Sequence, residues 1–282
     1  MNPGAGHAAV IGGGTMGAGI AAALARAGIR TELIEVSQEL AEDGVAKARE
    51  TIEDGVARNR ITPSDGEEAK ARLEPRAAIE EATPEPRLVI EAVPERVDLK
   101  HKILAAAEQL RPALLATNTS GISIDELAAG VEDKSRFLGM HFFNPVPAMA
   151  LVEVVIGSAT ADEARDAAVG LVGEIGKEAI VVGDSPGFAT SRLGVALGLE
   201  AIRMVEEGVA SPEDIDRAMV LGYRYPVGPL RLGDIVGLDV RLDIATNLSA
   251  AYGERFAPPP LLQTMVAEGR LGKKSGQGFY TW

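Results

Sequence analysis

His141 and Glu153 are the two residues whose types and surroundings best suit proton transfer. The histidine opens HFFNP at the end of an apolar run, FLGMHFF (137–143). The glutamate interrupts LVEVVI (151–156), a run that is otherwise apolar throughout. A buried carboxylate without a partner costs several kcal/mol or neutralises itself. An imidazole from the preceding strand is a sensible partner. Such a pair orients the ring, fixes its tautomer and stabilises the imidazolium. A second reading makes Glu153 an edge-strand residue that reaches water, and the spacing fits both. Ser120, in ATNTSGIS, offers a hydroxyl for a substrate oxygen or for the nicotinamide side of a cofactor, and Asn144 could bridge cofactor and base. Of the other two histidines, His7 belongs to the terminal segment. His101 stands between Lys100 and Lys102 on an expected solvated helix face.

A glycine-rich loop supplies the second chemistry. VIGGGTMGAGI holds Gly12, Gly14 and Gly17, with Thr15 and Met16 inside the motif. It follows an apolar run and precedes a helical pattern. In that context one glycine permits the tight turn and one admits a pyrophosphate to the backbone. The third allows close helix–strand packing, and the helix N-terminus favours the negative charge. A dinucleotide site is expected. Glu35 ends the next apolar run, about 20 residues beyond the loop, where an acid accepts from the adenosine ribose hydroxyls. It would repel the extra phosphate of NADP, and Val36-Ser37-Gln38 offer no cation to hold one. NAD is therefore expected over NADP; the alternative leaves Glu35 facing water.

Short β-rich runs position these groups. Strands are expected at 7–12, 31–36, 87–93, 113–119, 137–143, 151–156 and 179–183. Helical patterns follow Gly14, run from near Ser37 through the fifties, and cover 97–110 and about 161–175. Strands alternating with helices imply βαβ crossovers and a mostly parallel sheet. Gly12, Ser120 and His141 then occupy strand ends in different βα units, where open α/β sheets bind ligands. After DSPGF (184–188) the strand signals stop. TSRLGVALGLEAIRMVEE (190–207) puts Leu193, Leu197, Ile202 and Val205 near one helical face. Ser211-Pro212-Glu213-Asp214 opens another helix with a serine cap and proline at the first position. Further helices are expected at 234–252 and 259–269. This divides the chain into an α/β domain at 1–183 and an all-helical domain at 184–282. The helical faces carry more apolar surface than so small a domain can bury, so a homodimer is expected.

Composition removes several classes. The formal net charge of −13 argues against nucleic-acid binding, which needs a basic face. With no cysteine, disulfides, thiolate chemistry and Cys-based metal sites are excluded, and three histidines leave little room for another metal site. MNPGAGHAAVIGGG has no basic stretch followed by a long apolar one, and no window holds 18 consecutive apolar residues. A cytoplasmic protein with no membrane partner is expected.

These motifs together resemble the L-3-hydroxyacyl-CoA dehydrogenases, including the short-chain 3-hydroxybutyryl-CoA enzymes. The matching pieces are VIGGGTMGAGIA (10–21), EAVPERVDLK (91–100), ATNTSGISI (116–124) and FLGMHFFNPVPAMALVEVV (137–155), then DSPGF (184–188), EDIDRAMVLGYRYPVGPLRLGDIVGLD (213–239) and GKKSGQGFY (272–280). They occur in family order over nearly the whole chain. The resemblance implies a Rossmann-like doubly wound domain followed by a helical domain that builds a dimer. It also implies NAD-dependent oxidation of an L-3-hydroxyacyl-CoA to the 3-ketoacyl-CoA, with the substrate between the domains. His141 becomes the general base, Glu153 its orienting partner and Ser120 a substrate and cofactor contact. Glu35, Glu95, Lys100, Asn144 and Lys274 become cofactor contacts, and Thr51 and Arg58 touch coenzyme A.

One residue departs from the family pattern. Where members commonly carry asparagine after DxPGF, this chain reads DSPGFATSRL and places Ser191. A hydroxyl reaches less far than an amide and offers one donor instead of two. Ser191 stays a site residue that positions substrate through a bridging water or shifts the chain-length preference, and it keeps open a relative that oxidises another alcohol, such as a sugar acid or carnitine. A non-catalytic NAD-binding protein is the rival from another class, and the retention of Ser120, His141 and Glu153 speaks against it.

Overall fold

The computed structural model describes residues 6–282; the first five residues of the N-terminal stretch read above lie outside the described residues. The described residues divide into two compact units, one ending at residue 184 and the other spanning 185–282.

The first unit is an eight-stranded sheet with strand order β3-β2-β1-β4-β5-β6-β7-β8. The strands are β1 (His7–Ile11), β2 (Arg30–Ile34), β3 (Leu73–Arg76), β4 (Leu88–Glu91), β5 (Leu115–Thr117), β6 (Phe137–Phe142), β7 (Leu151–Ile156) and β8 (Glu178–Gly183). Six of them run parallel, from β3 across to β6; β7 lies antiparallel to β6, and β8 runs parallel to β7. The helices are α1 (Thr15–Arg26), α2 (Gln38–Ala57), α3 (Pro63–Ala71), α4 (Val97–Glu108), α5 (Ile124–Leu127) and α6 (Asp162–Glu174). The chain begins on central β1, winds out to β3 and returns through β4. The reversal between β1 and β4 leaves a crevice beyond their carboxyl ends, the usual ligand position of a doubly wound sheet.

Local chemistry accounts for the elements. The buried strands are rich in Val, Ile and Leu, as sheets covered on both faces require. The Ser37 hydroxyl accepts from the Leu40 N–H and caps α2, and Thr62 caps α3 ahead of Pro63. Helix α1 is nearly all small residues, and at Gly19 an added Cβ would lie 2.9 Å from Val146, so the helix packs close.

The second unit is helical: α7 (Thr190–Glu206), α8 (Pro212–Tyr223), α9 (Pro229–Val236), α10 (Leu238–Tyr252) and α11 (Pro260–Ala267). Its core gathers Val195, Leu199, Ile202, Ile215, Leu230 and Leu248 among others. No helix among the described residues is long and apolar enough to cross a membrane.

The structure corrects five expectations. Helix α3 and edge strand β3 were not anticipated: LEPR is too short and polar to show a strand pattern, and ion pairs hold it instead. Arg30 donates twice to Glu74, at 2.6 and 2.9 Å, and Arg76 donates to Glu74 and to buried Glu32. The expected helix at 234–252 is two helices broken at Gly237, whose φ of 110° no helix accommodates. His141 does not sit in a βα unit, because β6 returns directly as antiparallel β7. On α7 the inward stripe is Val195, Leu199 and Ile202, whereas Leu193 is 71% exposed. Of the expected stripe, Ile202 is in the core and Val205 packs against it, while Leu193 is turned out. Finally, Lys100 does not belong to a solvated face: it is fully buried.

Candidate active site

The glycine loop leaves β1 and enters α1. Gly12 has φ 106°, and an added Cβ would lie 2.7 Å from the Ala92 carbonyl oxygen. At Gly17 an added Cβ would strike the Gly12 carbonyl oxygen. Gly14, the N-cap of α1, has nothing within 4 Å of an added Cβ. Two glycines are thus required by packing, and the third faces open space. No side chain caps α1, and no acid sits in its first turn. The positive end of the helix is left for an outside anion, and a dinucleotide pyrophosphate fits it. Thr15 and Met16 form that first turn. Glu35 braces the loop: its carboxylate accepts from the Gly13 N–H at 2.7 Å and from the Val36 N–H at 3.1 Å. Sequence reasoning gave it the ribose and missed this bracing.

His141 and Glu153 face each other in register on β6 and β7. His141 Nδ1 lies 2.7 Å from Glu153 Oε2. Glu153 is 0% exposed and His141 6%. The solvent-facing reading of Glu153 fails because β8 pairs along the far side of β7, which is therefore interior. An ionised carboxylate only accepts, so the neutral ring carries its proton on Nδ1 and its lone pair on Nε2. Phe143 packs on the ring, with centroids 4.4 Å apart.

Ser120 follows β5. Its N–H donates to Glu95 Oε1 at 2.9 Å and its hydroxyl lies 3.3 Å from the same atom; the Thr119 hydroxyl donates to it at 2.6 Å. Burial works against ionisation of Glu95, but the Lys100 charge and these hydrogen bonds outweigh it and hold the carboxyl below its ordinary value. Lys100 is itself 0% exposed. Its ammonium donates to both oxygens of fully buried Glu91, at 2.7 and 3.0 Å, and stands 3.3 Å from Glu95. The Thr117 hydroxyl and the Val93 N–H complete the Glu91 shell. Glu91 was missed, although it interrupts the apolar run RLVIEAV just as Glu153 interrupts LVEVVI.

One cavity of about 290 Å³ collects Met16, Glu95, Asn118, Ser120 and His141. The glycine loop, the serine and the imidazole thus share one space at the switch point. Asn118 was also missed. Its side-chain oxygen accepts from the Phe142 N–H at 2.9 Å and so fixes β6 beside His141. An amide two residues before Ser120, at a strand end, was the available signal.

The remaining expected residues lie elsewhere. Asn144 is exposed in the turn after β6 and does not line this cavity. Thr51 and Arg58 lie on and just past α2; the Thr51 hydroxyl donates to the Lys47 carbonyl, and Arg58 pairs with Asp54 at 3.7 Å. Both belong to the second half of that helix, and neither lines the His141 cavity. In the second unit, Ser191 is in the first turn of α7, and Lys274 donates to Asp239 at 2.5 Å. The GKKSGQGFY tail has an architectural reason of its own. The fully buried Asp234 carboxylate accepts from the N–H groups of Phe279 and Tyr280 and from the Trp282 indole.

A bare helix N-terminus at the switch point, beside a buried imidazole–carboxylate pair, is an arrangement that suits a nucleotide-dependent oxidoreductase. Comparison with known proteins narrows the class. The family description "3-hydroxyacyl-CoA dehydrogenase, NAD binding domain" matches residues 7–185, and "3-hydroxyacyl-CoA dehydrogenase, C-terminal domain" matches residues 187–282. A probable 3-hydroxybutyryl-CoA dehydrogenase of Bacillus subtilis is 39% identical over 97% of this chain and 96% of its own length. The 3-hydroxybutyryl-CoA dehydrogenase of Mycobacterium tuberculosis is 40% identical over 97% of each. The crystal structure of (S)-3-hydroxybutyryl-CoA dehydrogenase from Ralstonia eutropha superposes with a TM-score of 0.93 at 38% identity, covering 98% of both chains. The chain belongs to the 3-hydroxyacyl-CoA dehydrogenase family. It is an oxidoreductase, and NAD is its cofactor.

Proposed function

We propose that the protein oxidises a short-chain L-3-hydroxyacyl-CoA, such as 3-hydroxybutyryl-CoA, to the 3-ketoacyl-CoA, reversibly and with His141 as the general base. The observation that carries this reading is the 2.7 Å contact of His141 Nδ1 with Glu153, in a cavity shared with Ser120 and the glycine loop. When bound, NAD supplies the hydride acceptor. His141 Nε2 takes the proton of the 3-hydroxyl as C3 gives up its hydride. Glu153 stabilises the imidazolium that forms. Ser120 donates to the oxygen that becomes the carbonyl, held by Glu95 through its own N–H. In the reverse direction His141 returns the proton. Glu35 takes the adenosine ribose, and Lys100 acts on the cofactor side through Glu95. Asn144, Lys274, Ser191, Thr51 and Arg58 are proposed contacts for cofactor or substrate.

Acetoacetyl-CoA-dependent oxidation of NADH tests this. Turnover is expected with acetoacetyl-CoA and not with carnitine or sugar-acid substrates. A preference for one of those alcohols overturns the assignment, and NAD binding without any turnover supports a non-catalytic role.

The protein is further proposed to be a cytoplasmic homodimer. Leu193, Leu221 and Tyr223 of the second unit are each more than 70% exposed, and a second copy of the chain would cover such apolar surface. Light scattering that gives the mass of one chain contradicts the dimer.

A further inference from the structure

Ser120 sits on a short turn between β5 and α5. Ser120 and Gly121 are both exposed, and nothing lies within 4 Å of a Cβ added at Gly121. With nothing packed on its apex, the turn takes its position from its two ends. The front end is the Thr119–Glu95 contact. The Thr119 hydroxyl donates to Glu95 and accepts from the N–H groups of Gly121 and Ile122, at 3.3 and 2.9 Å.

The back end is held by Asp184. One of its carboxylate oxygens, Oδ2, accepts from the Ser123 hydroxyl at 2.6 Å and from the Asp125 N–H at 2.9 Å. The same Ser123 hydroxyl accepts from the Glu126 N–H and so caps α5. Asp184 is itself anchored. Its N–H donates to the Ile156 carbonyl at 3.0 Å and carries the β7–β8 pairing one residue further. A second tie runs the same way. The Asp125 side chain accepts from the N–H and the hydroxyl of Ser158, in the turn after β7, at 2.7 and 3.0 Å. A Cβ added at Gly157 would lie 2.8 Å from that Asp125 oxygen, so the two segments are closely packed. The far end of the Ser120 turn is thus bound to the end of β7, the strand that carries Glu153.

Apolar packing does not do this job. Ile124 and Leu127 are 0% exposed and seat α5, but they follow Ser123, and apolar burial has no direction. Hydrogen bonds to an ionised acceptor are short and roughly twice as strong as neutral ones. The other Asp184 oxygen, Oδ1, is buried with no hydrogen-bond partner among the described residues. A helix cap alone is served as well by a neutral side chain. An unpaired buried acceptor works against stability, which leaves the grip on Ser123 and Asp125 as the use of the charge.

We propose that Asp184 is a positioning residue of the active site. Its carboxylate fixes the Ser120 turn to the end of β7, so that the serine hydroxyl and the His141–Glu153 pair are set from the same strand. This rests on the role proposed above for Ser120.

The test is a double-mutant cycle in the full chain. Asp184→Ala is expected to lower kcat for acetoacetyl-CoA reduction at least about tenfold, since a misplacement of about 1 Å costs up to about 10² in rate. NADH affinity should stay at the wild-type value. Asp184→Asn keeps an acceptor oxygen for both donors and should recover most of the turnover. Ser120→Ala/Asp184→Ala should be no slower than Ser120→Ala alone, because the aspartate acts through the serine. A wild-type kcat in Asp184→Ala, or losses that multiply in the double variant, overturns the proposal. If Asp184→Ala does not fold, Ser123→Ala removes the tie from the other side and is held to the same two outcomes. A wild-type kcat in Ser120→Ala removes the serine from the proposed mechanism, and this proposal with it. Amide exchange of residues 119–124 reads the tie without any substrate. It should speed up in Asp184→Ala, and unchanged exchange overturns the proposal. If the wild type does not turn over acetoacetyl-CoA, the proposed function fails, and the exchange still reads the tie.

Discussion

His141 and Glu153 stand directly opposite each other across the antiparallel pair β6–β7, with Nδ1 2.7 Å from Oε2. The pairing is a consequence of register. A one-residue slip would send Glu153 to the other face of the sheet and leave the imidazole without its acceptor. His141→Ala is expected to lower kcat by about 10²–10⁴ while NADH still binds. Stopped-flow fluorescence and steady-state rates check both halves, and a variant that keeps most of its turnover removes His141 from the base role.

Glu153→Gln separates shape from charge. The amide fills the same space but can donate to Nδ1, which moves the ring proton to Nε2 and disables the base. Turnover is expected to fall by about 10²–10⁴ with little change in melting temperature. A collapse of the fold, read by circular dichroism, would mean the carboxylate is structural.

The His141–Glu153 contact was legible because an acid inside an apolar strand needs a partner, and the preceding strand held an imidazole. Glu91 carried the same signal in RLVIEAV. Its partner was harder to see, since Lys100 lies on a helix and alternation of charge there suggested solvent. Seven strands were legible from their β-branched runs. Strand β3 was not, because Arg30, Glu74 and Arg76 hold it rather than an apolar pattern. On α7 sequence alone gave no reason to turn Val195 inward in place of Leu193. Gly237 looked like one more glycine until its positive φ showed the break between α9 and α10.

The Glu91–Lys100 pair is fully buried, so removing one partner strands the other. Glu91→Gln is expected to destabilise the protein by about 3–5 kcal/mol in urea unfolding. The double replacement Glu91→Leu/Lys100→Met should cost less than the sum of the single changes, because no charge is left uncompensated. Any folded single variant should also lose kcat, since Glu95 then holds Ser120 less firmly. Additive single effects would deny the coupling.

Edge strand β3 predicts an acid limb of stability. The hydrogen bond from Arg30, opposed by burial and aided by Arg76, holds Glu74 down to about 2 from 4.5. Because the folded value is depressed, the contribution is present above 4.5 and lost as pH falls toward 2. The melting temperature should decline through that window, by no more than a few degrees because solvent screens a pair at the sheet rim. Glu74→Gln should flatten that part of the profile, and a variant with the wild-type slope would assign the acid sensitivity elsewhere.

The tail of the second unit is closed by a contact that tolerates no added atom. Gly278 lies so close to Asp234 that a Cβ there would strike the carboxylate. That carboxylate is fully buried and accepts from Phe279 and Tyr280 at 3.0 and 2.9 Å and from the Trp282 indole at 3.0 Å. Gly278→Ala must therefore move either the acid or the tail. Moving the acid strands a buried charge, so the tail yields. Overpacking of this kind costs about 1–3 kcal/mol, and the lost hydrogen bonds add to it. Trp282 is the only tryptophan in the chain, so its emission reports the tail directly. The variant should show emission shifted to the red as the indole enters water, and a lower melting temperature. Asp234→Asn should do the same more mildly, because the amide oxygen still accepts but its NH₂ meets donors. Wild-type emission and melting in Gly278→Ala would mean that the tail is held by something other than this carboxylate.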